Sequence, residues 1–143
     1  MNDISEENTS LTLSNVPEGM EALIIAEIAN SVNANRPLMH IARDDLRMEN
    51  IAELVQFYFP EANVITFPAW DCLPYDRVSP NPDILARRMT ALMNILNPTD
   101  KKQIIISTIN AVTQHIPCKE IIKNASFTAK IGSTINIDNL TNY

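Results

Sequence analysis

The residues best equipped for chemistry lie in one stretch, FPAWDCLPYDRVSPNPDILARR. It holds the single tryptophan, Trp70, with Asp71, Tyr75, Asp76 and Arg77, followed by Asp83, Arg87 and Arg88. Carboxylates beside an arginine in a cleft at strand ends could polarise a substrate or move a proton, with Asp71 and Asp76 as the acid–base pair and Arg77 or Arg87 as the anchor. No nucleophile, base and orienter can be assembled from the spacing, so this small-enzyme reading has little to stand on. Aromatic, Arg and Pro residues on a rigid loop also compose a recognition surface. The plainer alternative is structural: Trp70, Leu73 and Tyr75 close one edge of a sheet while the aspartates cap turns. Both readings stay open, and Trp70→Ala separates them, costing about 3 to 5 kcal/mol for a core residue and under about 1 for a surface one. Arg87 and Arg88 fall in the first two turns of the helix that follows. There they could pair with Asp83 at i, i+4 spacing or reach back to Asp76, for a few tenths of a kcal/mol if exposed.

Other site chemistries are poorly supplied. The chain has 143 residues and two glycines, Gly19 and Gly132, where average usage of about 7% predicts roughly ten. The turn VPEGMEA sits where a strand-turn-helix would place a nucleotide loop, but it lacks the glycines, the Lys and the hydroxyl residue of a phosphate cradle. Glu18 and Glu21 put negative charge where phosphate would approach. His40 falls in a strand and His115 near a helix end, as structural histidines do. Cys72 and Cys118 lie far apart and outside any CxxC pair, so neither a disulfide framework nor a zinc site is signalled, and a reducing compartment is expected. With 11 Lys plus Arg against 17 Asp plus Glu, the formal net charge is −6. That balance disfavours a stand-alone nucleic-acid binder.

These residues must be positioned by a globular fold, since 45% of the chain is hydrophobic and 20% charged. Residues 1–10 are acidic and polar and read as a frayed tail. Leu11 to Leu13 alternate as a short strand would. SNVPEG supplies turn and start signals for a mostly buried helix carrying Met20, Leu23, Ile24, Ala26, Ile28 and Val32. RPLMHIA reads as a short buried strand, and Asp44 or Asp45 as the cap of a helix running to Phe59 with Leu46, Ile51, Leu54, Val55 and Tyr58 on its apolar face. NVITFP is a second strand, after which the prolines of residues 68–83 enforce a long, rigid loop. Asn81 caps the next helix, with Pro82 at its first position and Ile84, Leu85, Met89, Leu92, Ile95 and Leu96 at helical spacing. KQIIISTI is the strongest strand. Thr108 or Asn110 starts the short helix AVTQHI, and another spans Lys119 to Lys123. SFTAKIG reads as a further strand, and IDNLTNY as a helix barely begun, an ending that suggests a piece of something longer. Alternating elements with long crossovers predict an α/β fold with a mostly parallel sheet flanked by helices. No apolar run approaches the roughly 18 residues that span a bilayer, so a soluble, cytoplasmic protein without a membrane partner is expected.

The chain resembles the amino-terminal region of the bacterial transcription-repair coupling factors, the Mfd family. The likeness rests on VPEGMEALIIAEIA, PLMHIARDD, FPAWDCLPYDRVSPNPDILARRMTAL and IIISTINAVTQHIP, and covers roughly Leu11 to Tyr143. Its most specific part is the loop: Trp70, Asp71, Leu73, Pro74, Tyr75 and Asp76, then Ser79, Pro80, Asp83 and Ile84, then Arg87, occupy signature positions of the family. The resemblance implies a RecA-like domain, similar to the first domain of the excision-repair protein UvrB, with a degenerate nucleotide loop. Residues 11–124 would form this domain, and residues 125–143 the start of a second.

In that family the whole protein is an ATP-driven DNA translocase that displaces stalled RNA polymerase and recruits UvrA. The resemblance therefore implies a non-catalytic scaffold here, without cofactor. ATP and Mg2+ would belong to a downstream motor, UvrA to the following domain, and RNA polymerase and DNA to regions further on. In UvrB the comparable loop lies near the DNA path, but Mfd-like chains lack the adjacent DNA-inserting hairpin, which favours contact with other domains of the same protein. A stand-alone short interaction protein, a remnant of the longer gene, is the alternative.

Overall fold

The computed structural model describes residues 10–31, 36–73 and 77–124. The expected tail (described only from Ser10 on) and the second-domain start at residues 125–143 lie outside those ranges, as do Pro74, Tyr75 and Asp76. In order, the elements are α1 (Met20–Ser31), β1 (Leu38–Ala42), α2 (Asp45–Tyr58), β2 (Asn63–Phe67), α3 (Pro82–Leu96), β3 (Gln103–Thr108), α4 (Ile109–Val112) and α5 (Lys119–Asn124). The three strands form one parallel sheet in the order β1-β3-β2. This is the helix-flanked parallel α/β architecture expected of a RecA-like domain.

The central position goes to β3, and its composition explains why. All six of its residues are buried, as a near-continuous apolar run must be when helices cover both faces. Its polar members are satisfied: Gln103 Nε2 donates to the Asn94 carbonyl at 2.9 Å and Ser107 Oγ to the Phe67 carbonyl at 2.9 Å. On one face Ile104 and Ile106 meet Ala22, Ile25 and Ala29 of α1 and Met48, Ile51, Ala52 and Val55 of α2. On the other, Ile65 and Phe67 pack with Ala91 and Leu92 of α3, Ala111 and Ile122.

The caps follow the expected chemistry. Asp44 Oδ1 accepts from the Arg47 amide at 2.8 Å, and Asn81 Oδ1 accepts from the Asp83 amide at 2.9 Å with Pro82 opening α3. The turn before α1 depends on Gly19, whose φ of +87° is costly for other residues.

Four local expectations are corrected. RPLMHIA, expected as a buried strand, forms β1 at the end of the strand order, and its Met39 and Ile41 are exposed. Leu11 to Leu13 form no strand, and both leucines are exposed; two apolar positions provide too little burial to hold a ladder. The buried stripe of α2 is Met48, Ile51, Ala52 and Val55, whereas Leu46 and Tyr58 are exposed. The observed set is a clean i, i+3, i+4, i+7 stripe, which lets Met48 and Ala52 approach the sheet closely. The helix expected over AVTQHI is the single turn α4, capped by Thr108, whose Oγ1 accepts from the Ala111 amide at 3.3 Å.

Candidate functional site: the loop after the second strand

Parallel strands deliver their carboxyl ends to one edge of the sheet, where α/β folds place their sites. Here the segment after β2 leaves that edge and returns to α3 without regular structure among its described residues. Pro68, Pro80 and Pro82 remove donors along the way. Two clasps fix its course.

The first is Arg88. One turn and a half into α3, it is 1% exposed, although its neighbour Arg87 is exposed. Its guanidinium carbon lies 4.3 Å from the Phe67 ring centroid and 4.4 Å from that of Trp70. Both are cation–π distances. Nη1 donates to the Pro68 carbonyl at 2.5 Å and to Gln114 Oε1 at 3.2 Å. Gln114 Oε1 also accepts from the Trp70 amide at 2.9 Å. One arginine thus ties the last residue of β2, the start of the loop and the segment after α4 to α3. Burial lowers its pKa, yet a guanidinium stays charged at neutral pH. Its Nε is buried without a hydrogen-bond partner.

The second clasp is Asp71, whose carboxylate accepts from the Asn81 amide at 3.2 and 3.3 Å. Asn81 in turn caps α3, so the carboxylate closes the loop on the helix it precedes. Between the clasps a pocket of about 400 Å³ opens among Trp70, Cys72, Leu73, Pro80, Gln114 and His115. Leu73 is 75% and Val78 70% exposed, and Ser79 is also exposed. The described lining of the pocket, with Trp70, Cys72, Leu73 and Pro80, suits an apolar side chain, and Asp71 is engaged by the Asn81 amide.

The arginines do not pair as the spacing suggested. Arg87 bonds Glu49 of α2 and Thr66 Oγ1, the latter at 3.3 Å, and not Asp83. Arg88 makes no ion pair among the described residues. Trp70 is half-buried, neither core nor free surface. Asp83 and Ile84 take their expected places in the first turn of α3, exposed and half-buried. Sequence reasoning missed Gln114 and the burial of Arg88. The one available signal for the latter was its position: 88, 91, 92 and 95 form a stripe in which an arginine occupies an apolar place.

The nucleotide-loop position is built differently. Arg47 at the start of α2 bonds Glu18 and lies 2.9 Å from Glu21 Oε2, closing one wall of a cavity of about 490 Å³ that His40 also lines. The Glu21 hydrogen bond is the main cause that raises the Arg47 pKa. Burial depresses that of His40, aided by Arg47 and opposed by Glu21. Carboxylates hold the ground a phosphate would need. Among the described residues no cluster of three or more metal-ligating side chains occurs, and no helix is long and apolar enough to cross a membrane.

Fold and site together define a helix-flanked parallel α/β unit with a clasped loop over its carboxyl edge. The chain is similar to the transcription-repair-coupling factor of Haemophilus influenzae, 29% identical over 136 residues, which is 95% of this chain and 11% of that protein. It is likewise similar to that of Escherichia coli, 28% identical over 121 residues, covering 83% of this chain and 10% of the relative. With the factor of Rickettsia bellii it shares 33% identity over 61 residues, 43% of this chain and 5% of the other. The resemblance seen in the loop motif therefore extends along nearly the whole chain, which spans about a tenth of the length of the first two relatives. No protein-family model matches the chain, and no solved structure matches it significantly.

Proposed function

We propose that the chain is the non-catalytic, amino-terminal scaffold portion of a cytoplasmic transcription-repair coupling factor. In this reading the whole protein is an ATP-dependent DNA translocase that displaces stalled RNA polymerase and recruits UvrA for excision repair. Those activities, with ATP and Mg2+, belong to other parts of the polypeptide, and UvrA is met through the domain that follows. The clasped loop, with the described signature residues Trp70, Asp71, Leu73, Ser79 and Pro80, is the surface on which another domain of the same protein rests. Leu73 and the adjoining pocket supply the apolar contact.

The observation that carries this reading is the similarity along 95% of the chain to a tenth of a much longer protein, joined to a nucleotide-loop position held by Glu18, Glu21 and Arg47. The test is the size of the native polypeptide, read by immunoblot of source-cell lysate with an antibody against residues 60–90. A band several times larger than 16.0 kDa is expected. A band at that mass would leave no motor attached and overturn the reading.

A further inference from the structure

A strand turns alternate residues to the two faces of its sheet. In β1, Leu38 and Ala42 pack into the core shared with α1 and α2, so His40, between them, lies on the same face, half-buried. It lines the cavity of about 490 Å³ together with Glu18, Glu21, Arg43 and Arg47. Among the described residues the charges around it come from three segments. From α2, Arg47 bonds Glu18 and lies 2.9 Å from Glu21 Oε2. From the start of α1 come those two carboxylates, with side-chain exposures of 83% for Glu18 and 33% for Glu21. The shielded Glu21 therefore carries most of the tie between the helices. Arg43, in the turn before α2, is exposed and paired with Asp44, whose carboxylate also caps α2. On β3 the residue beside His40 is the uncharged Ile106. With a neutral imidazole the cluster sets one shielded cation against one shielded carboxylate. A proton on His40 makes that two cations for one carboxylate.

We propose that His40 is a proton-operated release for the start of α1: the imidazolium competes with Arg47 for the Glu21 carboxylate, and the first turn of α1 parts from α2 while the core stays folded. Beyond Ala22 the helix is held by Ile25, Ala26 and Ala29, so the first turn can move without emptying the core. The direction of the effect follows from the surroundings. Burial lowers the His40 pKa, with Glu21 opposing and Arg47 adding to it. The closed arrangement thus favours the neutral imidazole, and its stability is whole above about pH 6.5 and declines as pH falls from there toward the lowered value.

The test is amide hydrogen exchange on the 143-residue chain at about pH 7.5 and about pH 5.5, corrected for intrinsic rates, in the native sequence and in His40→Gln. Leu23 and Ile24, whose amides close the first bonds of α1, are expected to exchange at least about threefold faster at the lower pH in the native chain. The amides of β3 are expected to change less, and His40→Gln to show no rise. A rise shared equally with β3, one of the same size in His40→Gln, or none at all would overturn the proposal. Should His40→Gln fail to fold, an NMR titration of the imidazole decides in its place. Glu21→Gln is then expected to lower the midpoint and Arg47→Gln to raise it, and midpoints that stay at the native value reject the release.

Discussion

Arg88 is a cation placed where an apolar residue would ordinarily sit, and it remains there because two rings and two oxygens replace part of its hydration. Removing it leaves a cavity, strips both rings of their cation and frees the Pro68 carbonyl and Gln114. Arg88→Ala is therefore expected to cost about 2 to 4 kcal/mol by urea denaturation. Arg88→Met, which keeps volume and removes the desolvated charge, is expected to cost less than the alanine variant. Trp70 lies between the two cases its sequence context offered. It is neither fully buried nor exposed, so Trp70→Ala is expected to cost about 2 kcal/mol, and the two sites should couple in a double-mutant cycle because the ring and the guanidinium touch. A cost above about 4 kcal/mol or additive behaviour would contradict this geometry. His40 adds a pH dependence. Its folded pKa lies below its unfolded one, so the unfolded chain binds the extra proton first. Stability is then whole above about pH 6.5 and falls as pH drops from there toward the depressed folded value. Replacement by Gln should flatten that part of the stability–pH curve.

At the scale of elements, α3 organises the site. Its cap, its buried Arg88 and its exposed Arg87 govern the loop before it, the pocket beside that loop and the contact with β2. Asn81 has two roles at once, as the acceptor that caps α3 and as the amide held by Asp71. Asn81→Ala is expected to lower stability by about 1 kcal/mol through the lost cap, a small shift in the urea midpoint. Asp71→Ala keeps the cap but frees the Asn81 amide, so the readout there is local. Hydrogen exchange at Asn81 should quicken while the amides of β3 keep their protection. If β3 exchange rises equally, the loop is part of the global folding unit and the clasp has no separate existence.

For the whole molecule, the decisive contrast lies between the two ends of the described fold's chemistry. The start of α1, the only turn the sequence offered for a nucleotide, carries Glu18 and Glu21 bound to Arg47, and a triphosphate would have to displace that arrangement against two carboxylates. Calorimetric titration of the chain with ATP and Mg2+ is expected to show no micromolar binding. A dissociation constant in that range would remove the scaffold reading. Among its described residues the clasped loop at the sheet's carboxyl edge presents apolar groups, Leu73 and Val78 foremost, which fits contact with protein.

The sequence by itself determined the α/β class, the three described strands, the cap Asn81 and the family likeness, and narrowed the cap of α2 to Asp44 or Asp45. Each of these rests on local signals: periodicity, a capping side chain within three residues, a proline, an ordered motif. Tertiary structure alone decided what depends on residues far apart in the chain. Arg88 is buried because Phe67, Pro68, Trp70 and Gln114 converge on it from three segments, and within LARRMT only its place on the apolar stripe of α3 sets it apart from Arg87. Arg87 finds Glu49 and Thr66, partners 38 and 21 residues away, and not Asp83. The rotation of α2 onto Met48, Ile51, Ala52 and Val55 was likewise settled by packing against α1 and the sheet, which the hydropathy of Leu46 and Tyr58 could not foretell.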